Sequence, residues 1–103
     1  MRERQWRAQF TDALKEQGLT MNGWLLLGVV SRSKRQAERM AVVAATLGVS
    51  LPQLHAIASK LDEGRYIRIK ADRRDKRSKV IVLSSRGAKA LRSVESLLRL
   101  RLG

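Results

Sequence analysis

From Gly64 to Lys79 the chain alternates apolar and charged side chains, then breaks into Asp72-Arg73-Arg74-Asp75-Lys76-Arg77, a run too polar to be buried. That pattern predicts a β-hairpin arm with a cationic tip. Tyr66, Ile67 and Ile69 carry strand propensity on one side of the turn, and Val80, Ile81, Val82 and Leu83 supply the returning strand. Eight Lys or Arg against two Asp lie between positions 65 and 79, so the arm calls for a polyanion. The whole chain carries the same bias, with 22 Lys and Arg against 9 Asp and Glu and a formal charge of +13. Nucleic acid is the expected partner.

A membrane surface is also anionic, but the apolar run from Trp24 to Val30 is only seven residues long, against the roughly 20 that a spanning helix needs. The Met1 start shows no apolar secretory region followed by a small-residue cleavage site, so a soluble, cytoplasmic protein with no membrane partner is expected. The absence of cysteine removes disulfides, thiolate metal sites and thiol redox sensing together. At 103 residues the chain fits one domain, 1–103, around a single core, with no repeats.

The remaining pattern is helical. Residues 1–18 read as an amphipathic N-terminal helix bearing Trp6, Phe10, Ala13 and Leu14, stopped by Gly18. Thr20 is a good N-cap for a second helix from about Met21 to Val30, too apolar for a surface face and therefore central and buried. The stretch Ser31 to Arg39 is either a basic loop or the solvated start of the next helix. Residues 39–63 hold two short helices joined through Gly48-Val49-Ser50. Met40, Val43, Ala44 and Leu47 line one face of the first, and Leu54, Ile57, Ala58 and Leu61 one face of the second. That is a helix-turn-helix. The hairpin occupies 65–83. Ser84 or Ser85 then caps a last helix, 84–103, with Leu91, Val94, Leu98 and Leu102 in a stripe. The fold class expected is α+β, mainly helical: a winged helix-turn-helix with a two-stranded β-hairpin wing and flanking terminal helices.

With that order in place, the chain resembles the MarR family of transcriptional regulators from Leu19 to Leu91. The anchors are LTMNGWLLL before the motif, LGVS at the turn, LDEGRYI closing the second motif helix, and DRRDKRSKVIVLSSRG as wing and next N-cap. The resemblance implies a dimeric DNA-binding repressor or activator, with the second motif helix in the major groove and the wing in the flanking minor groove. It places Arg74 and Arg77 at the family's wing positions. Members usually have longer terminal helices with a pocket for small aromatic acids, and no small-molecule effector is expected here.

With the core-facing side chains set aside, Pro52, Gln53, His55, Ala56, Ser59 and Lys60 point outward from the second motif helix, whose N-cap is Ser50. Gln53 can pair bidentately with adenine, Lys60 and His55 can reach guanine or phosphate, and Ala56 offers only a methyl group. Arg39 is expected near the DNA backbone, and Arg68, Lys70, Arg73, Arg74, Lys76, Arg77 and Lys79 supply the arm's cations. Asp72 and Asp75 are expected to orient the arm, Asp75 by holding the Arg77 guanidinium. Trp6 and Phe10 need a surface to cover them, either the rest of the domain or a second copy of the chain; with Leu91, Val94, Leu98 and Leu102 they have few partners in so small a monomer and are expected at a homodimer interface. His55 is the only histidine, and no nucleophile elbow, phosphate loop or zinc spacing accompanies it. The expected function is sequence-specific binding of double-stranded DNA, with no enzymatic activity, cofactor or metal. A non-sequence-specific architectural DNA- or RNA-binding winged helix is the nearest alternative, and a protein-interaction module the next.

Overall fold

Thr20 starts the helix around which the other elements gather. Its hydroxyl accepts the Gly23 amide at 3.1 Å and opens α2 (Met21–Arg32), in which Leu26, Leu27 and Val30 are wholly buried. The computed structural model describes residues 3–102, with side chains described from 7 to 100. Before α2 comes α1 (Glu3–Glu16); after it come β1 (Ala37–Arg39), α3 (Met40–Leu47), α4 (Leu51–Glu63), β2 (Ile67–Ala71), β3 (Lys79–Leu83) and α5 (Ser85–Leu102). One core cluster draws on every helix, with Ile67, Ile81 and Leu83 contributed by the sheet.

The expected helices and hairpin all form, and the hairpin gains a third strand. β1 pairs antiparallel with β3 through Ala37↔Val82, Glu38↔Ile81 and Arg39↔Val80, so the sheet order is β1-β3-β2. The stretch left open between loop and helix is therefore neither throughout. α2 runs on to Arg32, a 3₁₀ turn spans Lys34–Gln36, and the chain then extends as β1. Val80 and Val82 are half-buried between two strands instead of standing outward on an edge.

The terminal helices do more for the monomer than the sequence reading allowed. Phe10 is 4 % exposed, Leu91 7 % and Val94 0 %, because α1 and α5 pack on one another and on α2. The Phe10 ring stands edge-on to Trp24, with centroids 5.1 Å apart and planes at 87°. For Phe10 the core is thus the cover, and Leu91 and Val94, expected to have few partners within the chain, are covered by the same core. Leu98 packs partly against the same core. The side chains of Trp6 and Leu102 lie outside the described residues.

Tyr66 joins the helical and wing halves. Its hydroxyl donates to the Gln17 carbonyl at the end of α1 (2.6 Å), and the Arg86 guanidinium lies 4.8 Å from its ring centroid. Ser84 is the cap of α5, accepting the Gly87 amide at 3.0 Å and donating to the Arg65 carbonyl at 2.6 Å. α5 therefore begins directly against the base of the hairpin.

Candidate nucleic-acid interface

Gly48 lets the helix-turn-helix close. It sits at φ 72°, ψ 32°, the left-handed conformation that L side chains rarely adopt, and its amide reaches back to the end of α3. The chain turns by 109° between α3 and α4, within the range of a DNA-binding helix pair. Leu54, Ala58 and Leu61 are buried and Ile57 is half-buried. Pro52, Gln53, His55, Ala56, Ser59 and Lys60 are all exposed, as the helical period requires.

The first turn of α4 departs from expectation. The Ser50 hydroxyl accepts the Gln53 amide at 3.2 Å, and the Gln53 side-chain carbonyl accepts the Ser50 amide at 2.8 Å. This is a reciprocal capping box. Gln53 is outward, but the carbonyl it would need for a bidentate adenine contact is already engaged. Replacing Gln53 with alanine is expected to lower stability by about 0.5–1 kcal/mol. A urea midpoint that falls at unchanged slope would report this, and an unmoved midpoint would show that the box contributes nothing.

The carboxylates of the wing also act on backbone more than on guanidinium groups. Asp75 accepts the Arg77 amide at 3.0 Å and the Ser78 hydroxyl at 3.2 Å, and Asp72 accepts the Arg74 amide at 3.0 Å. Asp75 is therefore a turn former, and the expected grip on the Arg77 guanidinium is replaced by a bond to the Arg77 amide. The second oxygen of Asp72 makes an ion pair, at 3.3 Å, with Nε of Arg39. This link between the wing and the residue before α3 was not foreseen, because 33 positions separate the partners and they meet only when β1 joins the hairpin by pairing with β3.

Wing and helix-turn-helix meet at a recess of about 210 Å³, with Arg39, Val42, Leu51, His55, Arg77 and Lys79 among its walls. Four expected DNA-binding residues thus converge there. The structure adds Val42 and Leu51, 43 % and 44 % exposed. Leu51 stands three residues before Leu54, so periodicity alone assigns it to the core face; its place at the helix start leaves it uncovered. Arg68, Lys70, Arg73, Arg74 and Lys76 are exposed along the hairpin and its tip and do not line this recess. Among the described residues no single helix is long and apolar enough to cross a membrane.

No protein-family model and no curated protein sequence matches the chain. Solved structures do. The YusO protein from Bacillus subtilis superposes with a TM-score of 0.90 at 14% identity, over 96% of this chain and 69% of that one. AbsC, a MarR family transcriptional regulator from Streptomyces coelicolor, gives 0.85 at 24% identity, over 96% and 67%. MepR from S. aureus, in a complex with DNA, gives 0.86 at 18% identity, over 94% and 78%. With five helices, the capped helix-turn-helix and a sheet-borne wing in the same arrangement, the chain has the winged helix-turn-helix fold of the MarR family transcriptional regulators.

Proposed function

We propose that this chain binds double-stranded DNA as a homodimeric transcriptional regulator, with α4 in the major groove and the wing in the flanking minor groove. The observation that carries the reading is the convergence of the cations Arg39, from β1, and Arg77 and Lys79, from the wing, beside His55 on the exposed face of α4. Cations scattered for solubility have no reason to gather beside a helix-turn-helix, whereas phosphates on either side of a groove require that placement. The similarity to MepR, itself solved in a complex with DNA, supports the DNA-binding reading. In it Arg39, Arg77 and Lys79 hold phosphates, Arg74 and Arg77 approach the minor groove, and Ser59 and Lys60 face base edges or the far strand. Arg68, Lys70, Arg73 and Lys76 add to the field.

The dimer is argued from what the monomer leaves uncovered. Leu97 and Leu98 are half-buried on α5 and Leu100 is 82 % exposed, a face that a second copy would cover by two-fold symmetry. Paired α4 helices would then lie roughly 34 Å apart, one DNA turn.

Selection of bound duplexes from a random-sequence pool tests the whole reading. The expected product is an inverted repeat with half-sites about 10 bp apart, bound less tightly as salt rises and sedimenting with two chains per duplex. Salt-sensitive binding without enrichment would replace it with the architectural reading. No salt-sensitive binding would leave a protein-interaction module.

A further inference from the structure

Asp72 is a carboxylate in the most cationic part of the chain, and its two oxygens face different elements. Oδ1 accepts the Arg74 amide at 3.0 Å and shapes the turn of the wing. Oδ2 is buried and accepts no hydrogen bond from the described residues, so Nε of Arg39, 3.3 Å away, is its compensation. Withdrawal of Arg39 would strand that oxygen without a counter-charge, which is costlier than ordering one arginine side chain. A side chain that is 55 % exposed is thus held in place by one that is 11 % exposed.

The pair occupies only one edge of the guanidinium. Its contact is made through Nε, and the Nη1–Nη2 fork meets no other carboxylate among the described residues. A planar fork of this kind matches two oxygens of one phosphate. Arg39 also lines the recess that it shares with His55, Arg77 and Lys79, where the wing meets the helix-turn-helix.

We infer that Asp72 is a positioning residue for DNA binding: by holding Nε of Arg39 it turns the Nη1–Nη2 fork toward a backbone phosphate. The inference rests on the DNA-binding reading and specifies what sets one of its contacts. It runs against the plain effect of charge. A carboxylate beside a polyanion repels it, so on charge alone the loss of Asp72 would tighten binding. If Asp72 positions Arg39, its loss weakens binding even though the protein becomes more positive.

Three substitutions separate these effects. Asp72→Asn keeps an oxygen for the Arg74 amide and loses the charge that holds Arg39; Arg39→Lys keeps the charge and loses the fork; Arg39→Ala loses both. These variants, and Asp72→Asn combined with Arg39→Ala, are titrated at several salt concentrations with a duplex that the unaltered protein binds in a salt-sensitive way, once circular dichroism shows them folded. Asp72→Asn is expected to bind roughly three- to tenfold more weakly, with a salt slope flatter by about one unit. Arg39→Lys is expected to weaken binding by a similar factor, because one ammonium nitrogen cannot hold carboxylate and phosphate in a fixed plane. In the Arg39→Ala background, Asp72→Asn is expected to weaken binding no further. Unchanged or tighter binding by Asp72→Asn, an equal loss with and without the Arg39 side chain, or full affinity in Arg39→Lys would overturn the positioning role and leave DNA binding standing. Absence of salt-sensitive binding by the unaltered protein to every duplex would overturn both.

Discussion

Gly87→Ala is expected to lower the melting temperature by about 12–24 °C, the equivalent of roughly 3 kcal/mol in a domain of this size. A Cβ at this position would lie 2.0 Å from the Tyr66 carbonyl oxygen and 2.9 Å from a methyl of Leu83. The carbonyl cannot simply move aside, because it accepts the Ser84 amide at 3.2 Å within the joint that starts α5. Tyr66 in turn is held by Gln17 and lies under Arg86. Relief of the clash must therefore displace α5, the hairpin base or the end of α1. Against a total stability of about 5–15 kcal/mol the change is large. Thermal unfolding followed by circular dichroism is the measurement, and a shift below a few degrees would show that the approach of α5 to the hairpin yields easily.

The second large effect is on binding alone. Alanine at both Arg74 and Arg77 is expected to flatten the slope of log affinity against log salt by about one to two units, since each lost phosphate contact removes about 0.9. Both side chains are exposed, and the turn that carries them is held by Asp72 and Asp75 through their backbone amides, which alanine retains. Stability is therefore expected to change by less than about 0.5 kcal/mol. An unaltered salt slope in a folded double variant would remove the wing from the DNA contact.

The hairpin was legible because its strands repeat at period two and its turn is too charged to bury. The helix pair was legible because Gly48 and Ser50 have strong terminal preferences. β1 was not, since Ala37-Glu38-Arg39 has no apolar alternation and becomes a strand only by pairing with β3. Arg35 and Gln36, at φ 59° and 53°, make the preceding turn with residue types that give no notice of it. Periodicity also found the apolar stripes on α1 and α5 but not what covers them: Phe10 meets Trp24 inside the chain, and Leu91 and Val94 join the same core. For Gln53 the outward direction was right, and a local bond to Ser50 competes with the role that direction implied. In each case the signal missed was a partner distant in sequence or a backbone group, and residue type records neither.

β3 has a strand on each side, and β1 runs without a break into α3. The tip end of the hairpin strands and the first turn of the helix pair are therefore joined, with Arg39 and Asp72 tied across them. A free-standing hairpin would need ordering at the moment of binding, at about 1–2 kcal/mol of backbone entropy per residue. Here that ordering is complete once the chain folds, and only the side chains at the tip remain to be immobilised, at about 0.5–1.5 kcal/mol each. On the DNA reading, a duplex meets two contact surfaces whose separation is already set, so any mismatch in groove spacing falls on the duplex. Its deformability, at steps the protein never touches, then becomes part of what is selected.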